Sequence, residues 1–137
     1  MAPAVLVEHV QKSYGKIEAV KDVSFQVEAG VIFGLLGPNG AGKTTTLRCL
    51  CTLAAPDAGR IEIAGVSVLE QPKVARQLLG YVAQEAAPDK VLTGRELLQL
   101  QAALYHLPKA KISERIESAL QLLGLEPWAD QKTGTYS

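Results

Sequence analysis

The apolar positions fall into two rhythms, one short and alternating, the other helical. Ala4 to Val10 predicts a strand, closed by a turn over Gln11-Lys12-Ser13-Tyr14-Gly15 in which Gly15 is the breaker. Ala19 to Val27 predicts a second strand. Val23, Phe25 and Val27 alternate there with Ser24 and Gln26, the pattern of a half-buried strand. Glu28-Ala29-Gly30 turns the chain into Val31-Ile32-Phe33-Gly34-Leu35-Leu36, an apolar run that reads as a buried strand. A glycine-rich turn and a helix-compatible run from Thr45 to Leu53 come next, stopped by Ala55-Pro56-Asp57-Ala58-Gly59. Arg60 to Ala64 predicts a strand with Ile61 and Ile63 on one face, and Val66 to Val68 can pair back across Gly65. Gln71 to Leu79 reads as a helix with Gly80 as its C-cap, followed by a short strand, Tyr81-Val82-Ala83.

After Gln84 the rhythm becomes helical. Ala86 to Asp89 is a loop, and Thr93 with Glu96 three residues later carries the signature of a capping box. The helix it opens places Leu97, Leu100, Gln101 and Leu104 at helical spacing, until Pro108 breaks it. Ile112 to Leu123 predicts another helix, with Ile112, Ile116, Ala119, Leu120 and Leu123 on one stripe and Gly124 closing it. Both stripes read as core. The tail from Glu126 to Ser137 reads as an irregular polar loop.

The turn between the buried run and the first helix carries chemistry. Gly37-Pro38-Asn39-Gly40-Ala41-Gly42-Lys43-Thr44 fits the P-loop pattern G-x-x-x-x-G-K-[ST], with a strand before it and a helix after it. A triphosphate is densely anionic and must be held without covalent chemistry. Glycines at 37, 40 and 42 permit backbone conformations and close approaches that a Cβ forbids. Successive amides then turn inward as an anion-binding nest, and the helix start adds unpaired N–H donors and the positive end of its dipole. Lys43 supplies a mobile point charge for the β- and γ-phosphates, and the Thr44 hydroxyl is a hard oxygen ligand suited to Mg²⁺.

Composition changes this picture little. The 137 residues are one domain's worth, 47% apolar and 20% charged, enough for a real core. Formal net charge is zero, so bulk electrostatics points to no nucleic-acid partner. No apolar run reaches the ~18 residues of a membrane helix, and the start, MAPAVLVEHV, lacks the basic and apolar regions of a signal peptide. A cytosolic location is expected. Cys49 and Cys51 lie two apart on a helix and point to different sides, so they read as small core residues rather than a disulfide.

Three further features narrow the P-loop class: Ser13-Tyr14-Gly15 upstream, Gly80-Tyr81-Val82-Ala83-Gln84 downstream, and the terminal Gly134-Thr135-Tyr136-Ser137. Together with GPNGAGKTT they resemble the ATP-binding subunit of ABC transporters, in that family's order, from Val5 to Ser137. The resemblance implies an α/β P-loop NTPase fold: an antiparallel β subdomain and P-loop ATP-binding core over residues 1–84, then the start of a helical subdomain over residues 85–137. It implies that Tyr14 stacks on adenine, since an electron-rich ring suits a purine face. Gly37, Pro38, Asn39, Gly40, Ala41, Gly42, Lys43, Thr44 and Thr45 are then the phosphate site, with ATP and Mg²⁺ as cofactors. Gln84 matches the glutamine whose amide oxygen reaches the Mg²⁺ or the attacking water, so Lys43 and Gln84 are the expected catalytic residues and Thr44 and Gln84 the metal ligands. Ser137 matches the serine that opens the signature motif, which in a head-to-tail dimer contacts the γ-phosphate on a second ATP-binding subunit. The partners implied are that second subunit and transmembrane permease subunits, which would hold the protein peripherally on the cytoplasmic face of the membrane. Tyr136 stands where leucine is commoner, and Ala83 where proline is common.

Phosphoryl transfer to water also needs a residue that orients the water and a second acidic Mg²⁺ anchor. The family supplies both as an Asp-Glu pair after an apolar strand beyond the signature. Two runs here end in a single glutamate. Val66 to Glu70 contains a serine and comes too early in the fold, and Leu122 to Glu126 sits at a helix end broken by glycine. The expectation is therefore roughly the first half of an ABC ATPase, cut at the signature serine. The expected function is an ATP-hydrolysing subunit that energises a transporter, with an export-type P-loop run. The competing function is a truncated nucleotide-binding module without hydrolysis. A GTPase would need an Asn-Lys-x-Asp motif, which the sequence lacks, and the sparse charges from Asp89 to Arg95 do not make a kinase lid.

Overall fold

The computed structural model describes residues 2–83 and 89–136. They group into two compact units, Met1–Val82 and Ala83–Ser137.

The first unit is built on a four-stranded antiparallel sheet. Strands β1 (Val5–Tyr14) and β2 (Ile17–Val27) form a hairpin, and β3 (Ala58–Ile63) pairs on the other side of β1. The short β4 (Val66–Ser67) completes the order β2-β1-β3-β4. The α1 helix (Lys43–Leu50) lies between β2 and β3 in the chain, and α2 (Pro72–Gln77) follows β4. The inward side chains Val7, Val10, Val20, Ile61 and Ile63 form one core with Cys49 and Leu50 of α1, Val68, and Ala75 of α2. Alternation along β2 is as the sequence predicts, with Val23, Phe25 and Val27 half-buried and Ser24 and Gln26 exposed.

β1 runs four residues beyond the predicted strand end at Val10, into the predicted turn, to Tyr14. The tight turn is Gly15–Lys16, and Tyr14 pairs with Ile17 across it. Gly15 takes a positive φ of 60°, which a two-residue hairpin turn requires and glycine supplies without strain. The register of β1 shifts between Val7 and Val10, and His9 sits at that bulge with φ 49°. Gly59 of β3 crosses the bulge so closely that a Cβ there would overlap the carbonyl oxygens of Glu8 and His9.

Two predicted strands are not strands. Residues 31–38 have no regular structure, and Val31, Ile32 and Leu36 are exposed. Tyr81 and Val82 are exposed likewise. An inner parallel strand takes its hydrogen bonds from neighbours on both sides, and no described strand pairs with either run. One contact ties the first run to the sheet: Phe33 stacks on Phe25 of β2, ring centroids 5.1 Å apart.

The second unit contains α3 (Gly94–Leu104) and α4 (Lys109–Leu123). Its core is Ile116, Leu120 and Ala129, with Leu98, Ile112 and Leu125 packed against it. The predicted α4 stripe is buried or half-buried from Ile112 to Leu120, but Leu123 is exposed. On α3 Leu97 and Leu98 are half-buried and Ala102 is buried, whereas Leu100, Gln101 and Leu104 of the predicted stripe are exposed. A run rich in leucine fits two adjacent stripes, and packing against α4 selects the one with the smaller residue. The tail is more ordered than predicted, with single 3₁₀ turns at Glu126–Trp128 and Thr133–Thr135. Arg95 ties the unit together, its guanidinium bonding Asp130 (Nε to Oδ1, 2.8 Å) and Glu117. Those two carboxylates, Asp130 first, raise the Arg95 pKa further.

The capping box forms as predicted: the Thr93 hydroxyl accepts from the Glu96 amide at 3.2 Å, and the Glu96 carboxylate accepts from the Thr93 amide at 2.8 Å. Thr93→Ala removes one half of this exchange and should lower stability by about 1 kcal/mol, while Thr93→Ser should restore most of it. Urea unfolding of the three proteins side by side checks this, and an Ala variant as stable as the native chain would contradict it.

Candidate functional site

The P-loop spans the irregular turn into α1. Gly40 and Gly42 both have positive φ, 82° and 86°. Gly42 is the N-cap of α1, in the left-handed region with ψ 3°. Its carbonyl is held twice by Thr46, through the amide at 2.8 Å and the hydroxyl at 2.9 Å. Thr46 is buried beside Cys49 and Leu50, so the core fixes the direction in which the helix starts. Close packing explains the glycine at 42, since a Cβ there would overlap the Ala19 carbonyl oxygen on β2 and sit 3.2 Å from Val20 Cγ2.

Within this frame Pro38 and Ala41 close a turn, with the Ala41 amide donating to the Pro38 carbonyl at 3.2 Å. The Lys43 ammonium folds back over the loop and donates to the carbonyls of Gly37 at 2.6 Å and Pro38 at 2.7 Å. Among the described residues, the amides of Lys43, Thr44 and Thr45 donate to no backbone or side-chain acceptor. That follows from helix geometry, since the first turn has no preceding carbonyls to meet. Pro38, Asn39, Gly40, Ala41 and Thr44 are exposed, and Thr45 is half-buried. The arrangement is a rim of unpaired amides beside a cation and an exposed hydroxyl. It fits an anionic phosphate chain and, at Thr44, an oxygen-seeking Mg²⁺.

Tyr14 stands at the end of β1, 47% exposed. It connects to the P-loop through a short series of contacts: Lys12 pairs with Val20 across the hairpin, and Val20 packs against Gly42. The Lys12 ammonium lies over the Tyr14 ring, 5.5 Å from its centroid. It also donates to Asp57 Oδ1 at 2.7 Å, while Asp57 Oδ2 accepts from the Ser13 amide at 2.7 Å. The Lys12 bond, then the Ser13 amide, hold the Asp57 carboxyl below its ordinary range, and Asp57 in turn raises the Lys12 ammonium. Sequence reading missed this network, because 45 residues separate Lys12 from Asp57 and neither matches a motif.

Cys49 is fully buried and Cys51 half-buried, and burial raises both thiols above their usual range, so they behave as core groups. Gln84 and Ser137 lie outside the described residues. Among the described residues no cluster of His, Cys, Asp or Glu is arranged to hold a metal ion, and no helix is long and apolar enough to cross a membrane.

Comparison with known proteins identifies the family. The ABC transporter family model matches residues 20–137. A daunorubicin resistance ATP-binding protein, DrrA2, of Streptomyces coeruleorubidus is 41% identical over 98% of this chain and 42% of its own length. A doxorubicin resistance ATP-binding protein, DrrA, of Mycobacterium tuberculosis is 43% identical over 98% of this chain and 41% of its own. Among solved structures, an ATP binding subunit of an ABC transporter superposes with a TM-score of 0.83 at 29% identity, covering 98% of this chain and 56% of that one. The cbiO1 protein of Clostridium perfringens, described as part of the transporter complex cbiONQ, gives 0.82 at 25% identity, over 100% of this chain and 57% of its own. The chain thus spans about two fifths of the length of the curated relatives it matches. A family match over most of the chain, residues 20–137, establishes that the chain belongs to the ABC transporter family.

Proposed function

We propose that this chain carries the ATP- and Mg²⁺-binding part of a subunit that hydrolyses ATP to energise an ABC membrane transporter. The observation that carries this is the start of α1: a left-handed Gly42, three amides without acceptors among the described residues, and the Lys43 ammonium beside them. In this reading the amides of Lys43, Thr44 and Thr45 donate to phosphate oxygens, and the Lys43 ammonium moves from the Gly37 and Pro38 carbonyls toward the β- and γ-phosphates. The Thr44 hydroxyl supplies one oxygen to Mg²⁺, which adds charge neutralisation on the phosphates. Tyr14 stacks on the adenine. Gln84 orients the metal or the attacking water, and Ser137 opens the motif that meets nucleotide on a second, head-to-tail subunit. Residues 1–84 form the β subdomain and nucleotide core, and residues 85–137 begin the helical subdomain that docks on permease subunits at the cytoplasmic face of the membrane.

Export is the direction supported by the relatives, whose names include drug resistance proteins and a Nod factor export ATP-binding protein. The competing reading is a nucleotide-binding module that turns nothing over, and the chemistry of the described residues leaves a clear test between them. Calorimetric titration of the protein with ATP and Mg²⁺ should give saturable binding below about 1 mM, the upper end of ordinary substrate affinities. Inorganic tripolyphosphate should compete. No saturable heat would sink the nucleotide reading, whereas saturable binding with no phosphate release would favour the non-hydrolysing module.

A further inference from the structure

Tyr14 sits at the tip of a hairpin beside a two-residue turn, with nearly half its surface exposed. A ring in that position has rotamer freedom, and stacking on a base would have to remove it. One residue from a different part of the chain braces the strand end that carries the ring. Asp57 follows α1, and it grips three consecutive residues of β1. Its amide donates to the Gln11 carbonyl at 2.8 Å, and its carboxylate takes the Lys12 ammonium and the Ser13 amide, both at 2.7 Å. The Lys12 side chain is only 15% exposed, so its ammonium is held in place rather than waving in solvent. It covers one face of the Tyr14 ring, in a geometry suited to cation–π attraction.

We propose that Asp57 is a positioning residue for the nucleobase: by clamping Lys12 and the Ser13 amide, it fixes the Tyr14 ring with one face capped by the ammonium and the opposite face offered to adenine. This rests on the P-loop reading of the site and adds to it a link between the two halves of the nucleotide. The segment that leaves α1 holds the base platform, while the start of α1 holds the phosphates. Base binding and phosphate binding are thereby set at a fixed spacing by one helix and the turn after it. Their contact raises the Lys12 ammonium and lowers the Asp57 carboxyl, so both groups stay charged in the pair. Substitution of Asp57 leaves the P-loop itself untouched, because the contacts of Gly42 and Lys43 run to β2 and to the loop carbonyls instead.

The test separates base from phosphate. ATP and inorganic tripolyphosphate, each with Mg²⁺, are titrated into the native full chain and into Asp57→Ala and Lys12→Met. Stacking of a base on an aromatic ring changes affinity by roughly five- to a hundredfold, and losing the order of the ring should forfeit the lower part of that range. ATP affinity is expected to fall about five- to tenfold in both variants, with tripolyphosphate affinity within about twofold of native. Asp57→Asn, which keeps an oxygen for the Ser13 amide but loses the charge, should fall between. If the native chain binds neither ligand, the P-loop reading itself fails. If the native chain binds both and the ratio of the two affinities stays the same in the variants, Asp57 does not position the base. Parallel loss of both ligands in Asp57→Ala and Lys12→Met overturns the proposal too, because it would make the pair a structural brace.

Discussion

Lys43→Ala is expected to lower ATP affinity by about a hundredfold or more while leaving the fold in place. A lysine ammonium has three donors. Two of them here meet the Gly37 and Pro38 carbonyls at 2.6 and 2.7 Å, which places the charge directly over the loop. A hydrogen bond to a charged group contributes roughly 1.5–3 kcal/mol, and two such bonds to phosphate oxygens amount to about 3 kcal/mol or more, two decades in affinity. The side chain is half-buried at the rim and belongs to neither core cluster, so removing it opens no cavity. The melting temperature should therefore move by only a degree or two, on the order of a few tenths of a kcal/mol. Lys43→Arg should not rescue binding, since a planar guanidinium cannot take the place of a compact ammonium between two carbonyls. Titration calorimetry and thermal melts on the same samples check both halves. Unchanged ATP binding in Lys43→Ala would remove the P-loop assignment, and a collapsed melt would recast the lysine as a structural strut.

What was legible in the sequence follows from how local each feature is. The P-loop was readable because its chemistry is written within nine residues, and the backbone there obeys glycine at 40 and 42. The capping box was readable for the same reason, with both partners three residues apart. The antiparallel hairpin was readable from alternation, but its length was not. Lys12 and Tyr14 belong to β1 because they pair with Val20 and Ile17, and turn propensity alone could not foresee that pairing. The run from Val31 to Leu36 teaches the converse. Its apolarity suits an inner strand, yet strand geometry depends on neighbours, and the described residues provide none apart from the Phe25–Phe33 stack. On α3 the spacing of leucines was right but the stripe only partly so: Leu97 is half-buried as expected, Leu100 and Leu104 are exposed, and the facing surface of α4 takes Leu98 instead. Hardest of all was the Asp57–Lys12 pair, two charged surface residues whose relation exists only after β1 and the segment beyond α1 have come together.

The second large effect is expected at Gly42, where the fold and the site depend on one missing Cβ. Gly42 combines a left-handed conformation, φ 86° and ψ 3°, with a backbone pressed against β2. An alanine meets both penalties. The left-handed conformation costs an L-residue roughly 1–2 kcal/mol, and overpacking a tight contact adds about 1–3 kcal/mol. The overlapping neighbour is the Ala19 carbonyl oxygen, a backbone atom inside a paired strand, which cannot swing aside as a side-chain end would. Gly42→Ala should thus lose about 3 kcal/mol of stability, a large share of the 5–15 kcal/mol typical of a domain. Relief of the overlap requires the start of α1 to move off β2, and that turns the amides of Lys43 to Thr45 away from their common focus. Nucleotide affinity should fall with stability in this variant, unlike in Lys43→Ala, where only affinity falls. Gly40→Ala is the control. It shares the positive φ, at 82°, but has nothing within 4 Å of the added Cβ, so it should lose only about 1 kcal/mol. Denaturant unfolding at matched slope reads the difference between the two alanines. Equal losses at 42 and 40 would mean that the helix start does not lean on β2, and the coupling of cradle to sheet would have to be abandoned.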